Sequence, residues 1–322
     1  MGLYPRMGAI MRHVIFAAGL LLCLGTLIRP GHASDLIIDT TGGDCSTVGT
    51  WSAATMTCTM TQDFTSVEVQ GTAIEIQGDG ITLDCAGHRI DGTVSNKCIW
   101  STTRFATDIV VRNCFFLNCH QGIRCYDGRS HLYEHNHFEG TGGGTAIVGY
   151  RIGSSTIRHN DVANNLIGIS MEITQGDNFV YSNRVHGNGI GVRWDGSPSV
   201  FSEFLFQNRI NGNETGVRTV GASIGIHHND LIDNTQQALS TAAYSSVCGP
   251  EIWDLLGEGN YWSDYAGTDG DDNGIGDTPH PVLCGDGANL TDNYPLMWAV
   301  VIQIFADGFE DGDHSAWSGS MP

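Results

Sequence analysis

One short pattern recurs through the middle of this chain and constrains its fold more than any other feature. It reads: an apolar residue, two residues, Asn, one residue, an apolar residue, two residues, a second Asn, then Gly followed by Ile or Val. The first Asn column is Asn113, Asn136, Asn160, Asn183, Asn208 and Asn229, at spacings of 23, 24, 23, 25 and 21. Three positions before these stand Val110, Tyr133, Ile157, Val180, Leu205 and Ile226, and two positions after stand Phe115, Phe138, Val162, Val185, Ile210 and Leu231. A second column holds Asn118, Asn165, Asn188, Asn213 and Asn234, with Thr141 as the exception. The glycine pairs follow as Gly122-Ile123, Gly168-Ile169, Gly191-Val192 and Gly216-Val217.

A period near 23 residues suits a leucine-rich repeat or a parallel β-helix, and composition decides between them. Only six Leu fall between positions 109 and 244. The apolar positions are mostly β-branched or aromatic, in short runs bounded by Asn and Gly, which is strand and turn chemistry. The pattern therefore predicts an all-β solenoid of three short strands per turn and roughly 7–9 turns. Asn tolerates the left-handed backbone of a sharp bend, and stacked Asn side chains can hydrogen-bond between rungs about 4.8 Å apart. Both Asn columns read as structural. The segment Ile81-Thr82-Leu83-Asp84-Cys85 aligns with Ile109-Val110-Val111-Arg112-Asn113, which puts Cys85 in the Asn place of an earlier turn. The solenoid is expected over residues 66–250, with 34–65 capping its first turn against open-edge pairing.

The first 33 residues hold Arg6, Arg12 and Arg29, no acid, an apolar run from Val14 to Leu27, and Gly31-His32-Ala33 before Ser34. That is a secretory signal peptide, too short in its apolar run for the roughly 20 residues of a membrane span, so no integral membrane segment is expected after cleavage. The whole chain has 15 basic and 35 acidic residues, a net charge of −20, and Lys97 is its only lysine. No basic footprint for nucleic acid exists. From Glu251 onward there are 14 acids and no Lys or Arg, so an acidic C-terminal cap is expected over 251–300 and a short tail over 301–322. Export makes disulfides the default for the nine remaining cysteines, with Cys45–Cys58 and Cys248–Cys284 as plausible local clips and at least one thiol left over. A metal cluster at Cys114, Cys119 and Cys125 is the alternative.

These features resemble the right-handed parallel β-helix proteins of the pectate-lyase-like superfamily, and within them the NosD-like repeat proteins. The segments Gly259-Asn260-Tyr261-Trp262-Ser263-Asp264-Tyr265, Gly267 to Pro279, and Asp292-Asn293-Tyr294-Pro295-Leu296 look like the closing motif of the latter. The resemblance covers roughly residues 66 to 298. It implies a fold rather than one activity, because lyases, hydrolases, epimerases, copper-delivery proteins and surface proteins share it. The stretch Ile304 to Ser318 resembles a tail found on many exported bacterial proteins.

Three places can carry chemistry. After the glycine pairs, outward positions stack from rung to rung as Arg124, Ser170, Arg193 and Arg218, with Tyr126, Glu172 and Asp195 two residues on and Tyr150 and Arg151 nearby. Arg forks bind carboxylate or sulfate, and an acid or Tyr beside them could move the proton next to a uronate carboxylate. The competing reading is an exposed ion-pair ladder. Trp194, in the intervening column, reads as core. Second, Asp269, Asp271, Asn273 and Asp277 fall at positions 1, 3, 5 and 9 of an EF-type loop, with Gly274 at its sharp turn but His280 at the twelfth place. Either a structural Ca²⁺ or a solvated acidic turn follows. Third, His131, His135, His137, His159, His227 and His228 could hold the copper that a NosD-like protein would handle, although His135, His159 and His228 share a repeat position with Ser182 and Gln207.

No adjacent-rung Asp pair of the kind inverting hydrolysis needs stands out. The expected protein is exported, to the medium or cell surface with the periplasm as alternative, and binds or processes an anionic polysaccharide. As an enzyme it would be a polysaccharide lyase, epimerase or glycoside hydrolase. The alternatives are a non-catalytic adhesion spacer and a periplasmic copper handler.

Overall fold

A computed structural model describes residues 34–300 except 68–70, 93–96, 102–103, 141–142, 197–201, 243–247, 286 and 288. The expected signal peptide, the C-terminal tail and Thr141 lie outside the described residues.

The short apolar runs form strands that stack into three parallel sheets, giving a parallel β-helix of about seven turns. Sheet I has 11 strands: Ser34–Asp39, Thr72–Gln77, Lys97–Ser101, Gln121–Tyr126, Thr145–Tyr150, Ile167–Glu172, Ile190–Asp195, Thr215–Val220, Gln236–Thr241, His280–Cys284 and Asn289–Asp292. Sheet II runs through nine strands from Gly49–Ser52 to Gly225–His227, and sheet III through nine from Phe64–Thr65 to Tyr261–Trp262. Parallel stacking already begins at Ser34–Asp39, which pairs with Thr72–Gln77, so residues 34–65 give strands to all three sheets. Both ends close with antiparallel hairpins, Gly49–Ser52 with Thr57–Met60 and His280–Cys284 with Asn289–Asp292. A hairpin at each end lets the terminal rungs leave the parallel register, which limits edge-to-edge pairing with other molecules.

The core is a stack of registered columns. Sheet I contributes Ile74, Ile99, Ile123, Ile147, Ile169, Val192 and Val217; sheet II contributes Leu83, Val111, Tyr133, Ile157, Val180, Leu205 and Ile226. Sheet III adds Ile90, Phe116, Phe138, Val162, Val185, Ile210 and Leu231, with Phe116 and Phe138 stacked at 4.5 Å. Burying each such side chain is worth about 1.5–3 kcal/mol, which a solenoid turn obtains only from its neighbours. Trp194 is fully buried in this core, as expected, and its Nε1 donates to Glu203 at 2.9 Å.

The first Asn column is a hydrogen-bonded ladder. Each member's Nδ2 donates to the Oδ1 of the next, from Asn136 through Asn160, Asn183, Asn208 and Asn229 to Asn260, over 2.9–3.1 Å. The backbone N–H of each does the same. Asp292 ends the run, its Oδ2 accepting from the Asn260 backbone at 2.7 Å and Trp262 Nε1 at 2.8 Å. A second ladder joins Asn165, Asn188, Asn213 and Asn234, then Gln237 and Ser263. At the remaining corner His131, Ser155, Asn178 and Glu203 play the part.

The structure moves the left-handed residue off the ladder. His135, His159, Ser182, Gln207 and His228, each just before a ladder Asn, have φ of 52–55°. Asn113 and Asn118 sit at that bend position too, both with φ 55°, so the ladder places in their turn belong to Cys114 and Cys119. The sequence alignment of that turn is therefore one residue out, and Val111 and Phe116, not Val110 and Phe115, face the core.

Cys114 and Cys119 also correct the metal-cluster expectation. They are bonded to Cys85 and Cys98 of neighbouring strands, so disulfides take over where the Asn ladders stop. Cys45–Cys58 and Cys248–Cys284 form as well. Cys125 is the leftover thiol, buried and pushed up to about 11 by burial, which keeps it unreactive.

Candidate functional site

The outer face of sheet I gathers the saccharide-contact residues singled out in the sequence, with Arg151 as the exception. Strand register sets Arg124, Val148, Ser170, Arg193, Arg218 and Leu239 side by side in one column. A second column runs Tyr126, Tyr150, Glu172, Asp195 and Val220. Tyr126 and Tyr150 stack at 4.8 Å, one rung apart. Arg151 does not join them. It follows the strand at φ 55° and its Nε reaches the buried Asp127 at 2.9 Å, a carboxylate also held by Arg104 at 3.3 Å.

The polar groups on this face differ in what they touch. Arg193 is paired with Asp195 on its own strand, its Nε 3.1 Å from Oδ1 with a second, closer contact from Nη2 to Oδ2. Ser170 donates to Glu172 at 2.9 Å. Among the described residues Arg124 donates to Gln121 Oε1, at 3.1 Å, and the buried Nε of Arg218 has no hydrogen-bond partner. On the other faces four arginines are matched to acids, Arg112 to Asp84 and Arg158 to Glu134 on sheet II and Arg184 to Asp161 and Arg89 to Asp63 at sheet III, while Arg209 of sheet III lies opposite Asp230 without a close ion pair to a described acid.

The register adds residues that the sequence reading missed. Glu75, Trp100 and Arg124 are consecutive in one outward column, and Lys97 lies opposite Gln121. Lys97 packs its Nζ 4.6 Å from the Trp100 ring centre. Burial, then the neighbouring Arg124, depress its ammonium, against an opposing pull from Glu75. The signal was masked because Lys97-Cys98-Ile99-Trp100 carries Cys98 where the later turns carry the Gly of Gly-Ile or Gly-Val.

The acidic loop closes on its own backbone. Asp269 accepts from the Asn273 and Gly274 N–H groups at 3.1 and 2.8 Å, Asn273 from Ile275 at 2.7 Å, and Asp277 from Gly270 at 2.8 Å. Gly274 turns at φ 87°. Asp271 accepts from Asn273 Nδ2 at 3.0 Å.

The histidines scatter. His131 is a buried ladder member, accepting from Ile109 N–H through Nδ1, and burial holds it down to about 4. His135 and His159 stack at 5.1 Å at the left-handed bend. His137 and His186 flank Asp161 on sheet III at 3.3 and 3.0 Å; burial works to raise that carboxyl, but their hydrogen bonds overcome it and hold it well below the usual range. His227 and His228 meet through their Nδ1 atoms at 2.7 Å, and His228 Nε2 reaches Glu258 at 2.5 Å. Copper needs several nitrogen or sulfur donors converging on one point. Among the described residues no group of three or more His, Cys, Asp or Glu can hold a metal ion, and the imidazole nitrogens facing Asp161 and Glu258 are engaged with those carboxylates. Among the described residues the histidines therefore do not converge into the donor set that copper needs.

A family model described as NosD, periplasmic copper-binding protein, matches residues 46–267. No curated protein matches the chain. Among solved structures the mannuronan C-5 epimerase AlgE4 A-module of Azotobacter vinelandii is similar, at 15% identity over 57% of this chain and 60% of that one, with a TM-score of 0.26. The chain thus spans about 60% of that module's length.

Proposed function

The chain belongs to the NosD family, and from that premise we propose that it is an exported parallel β-helix protein whose sheet I outer face binds an anionic polysaccharide. Four disulfides require an oxidising compartment, in keeping with export and with the family's periplasmic description. The observation that carries the binding reading is where cations lack acids. In a chain of net charge −20, Lys97, Arg124 and Arg218 share one face and none of them forms an ion pair with a described carboxylate. An isolated cation attracts an anion that a matched ion pair does not.

The parallel rungs also suit an extended ligand. Outward side chains repeat at a spacing of about 4.8 Å, the scale of a sugar residue, so one chain can touch several rungs. Glu172 and the paired tyrosines Tyr126 and Tyr150 lie beside the cations, where proton transfer next to a uronate carboxylate would take place.

The test is an array of polyuronates, sulfated polysaccharides and neutral polysaccharides, read for retention and for ultraviolet absorbance of unsaturated products. Retention by the anionic members is expected, and Arg218→Ala should weaken it. Unsaturated products would extend the reading from binder to lyase. Equal behaviour toward neutral and anionic members would reject the face as an anion groove and leave a rigid spacer.

A further inference from the structure

The one lysine of this chain stands in a place where lysines are rarely found. Lys97 is only 7% exposed, yet it lies on the outer side of sheet I. Cys98 and Ile99 are both buried, so the strand bends and Lys97 and Trp100 flank the bend, ammonium over indole at 4.6 Å. A buried ammonium is normally matched by a carboxylate, because desolvation of the charge is costly. Here none of the described acids forms an ion pair with it. The next rung brings a second cation close: Gln121 is opposite Lys97, Arg124 is opposite Trp100 and acts on the Lys97 charge, and Gln121 accepts from Arg124 Nη1 at 3.1 Å.

One acid, Glu75, acts on Lys97 against burial and Arg124. Glu75, 8% exposed and opposite Trp100 on the preceding rung, accepts from Ser34 Oγ at 2.6 Å on one oxygen and from Gln77 Nε2 at 2.7 Å on the other. Two cations and one carboxylate leave one positive charge without a counter-charge. That balance favours a monoanionic group over a phosphate dianion, and the flat fork of Arg124 favours a planar carboxylate.

We infer that Lys97 and Arg124 form the seat for one uronate carboxylate at the N-terminal end of the sheet I face, with Gln121 holding the guanidinium in place. The inference rests on the polysaccharide reading above and adds which sugar group is recognised and where. Burial and Arg124 weaken Lys97 in the free protein, and an arriving carboxylate relieves that strain, so the ammonium becomes harder to deprotonate when the seat is filled.

A single lysine makes the test free of assignment. Reductive methylation with carbon-13 formaldehyde keeps the charge and gives one dimethyl-lysine signal besides the N-terminal amine. Its nuclear magnetic resonance is followed with oligogalacturonate, with a sulfated oligosaccharide, and with a neutral cello-oligosaccharide. Oligogalacturonate is expected to shift the signal and raise the pH of its titration, and the neutral sugar to do neither. Arg124→Gln, checked for an unchanged melting temperature, should weaken the oligogalacturonate response roughly tenfold. A stationary signal while affinity electrophoresis still shows retention would overturn the seat and spare the face. Loss of retention altogether in the unmodified protein would overturn both. An equal shift with the sulfated probe would overturn the carboxylate assignment.

Discussion

Asp292 concentrates the physical chemistry of this fold in one side chain. It is fully buried, receives the last donors of the Asn ladder, and burial raises its carboxyl to about 6, against the hydrogen bonds from Asn260, Trp262 and Tyr294. A carboxyl with a folded value above its unfolded value of 3.8 favours folding most when protonated. That contribution is complete below about pH 4 and is lost as pH rises through 6. Relative to Asp292→Asn, whose amide does not titrate, the native protein should therefore lose about 2–3 kcal/mol between pH 4 and pH 7. Urea unfolding of both proteins at the two values checks it, and parallel curves would refute it. Within the ladder, Asn183→Ala strands the Asn160 N–H and the Ile157 carbonyl and is predicted to cost about 3 kcal/mol. Gln207→Asn, one residue before a ladder position at φ 54°, should cost nothing and stabilise slightly, because Asn tolerates that backbone better. The sequence alone pointed to these columns through their periodicity. It could not separate bend from ladder at Asn113, where Asn and Cys114 both suit a corner and only the hydrogen bond from Cys114 N–H to Asn136 Oδ1 decides.

At the scale of strands and loops, disulfides hold the early turns at the two corners where the Asn ladders stop. Cys98–Cys119 closes a loop with a sequence separation of 21, so replacing both with Ser should cost about 3 kcal/mol, read from chemical denaturation under non-reducing conditions. A loss near zero would mean that packing alone sets the first turns. The same substitution of Cys for a repeat residue explains why the Lys97–Ser101 strand was illegible: its motif lacks the glycine, and only the pairing with Gln121–Tyr126 reveals that Lys97 and Trp100 share the face with Arg124. The acidic loop was legible as a ligand spacing. In the structure its Asp269, Asn273 and Asp277 side chains cap the loop's own N–H groups, which supplies its closure. Chelator is therefore predicted to leave the melting temperature unchanged. A rise in melting temperature on adding Ca²⁺, abolished by Asp271→Asn, would instead make the loop a cation site.

Across the whole molecule, the ladders and the outer face of sheet I can be altered independently, because the ladder residues sit at the corners between strands and the outward side chains stand on the sheet itself. Inward and corner positions hold the rungs together, and their repetition along the axis is what the sequence displays. Outward positions repeat only loosely, so nothing in the spacing says which face is left with unmatched charge. Sheet II answers this with pairs, Arg112 with Asp84 and Arg158 with Glu134, the latter donating from Nε and Nη2 to one oxygen at 2.9 and 2.7 Å. Sheet I answers with Arg218 and Arg124, which form no ion pair with a described acid. Two arginine substitutions should thus part ways. Arg158→Ala leaves the largely buried Glu134 without its cation and is predicted to lower stability by about 1–2 kcal/mol while retention on polyuronate is unchanged. Arg218→Ala removes no ion pair and is predicted to leave stability within about 0.5 kcal/mol while weakening retention several-fold, an effect that shrinks as salt is raised. Denaturation and affinity electrophoresis on the two variants side by side decide it. If both lose stability and neither loses retention, the cations of sheet I belong to the scaffold and the ligand lies on another face.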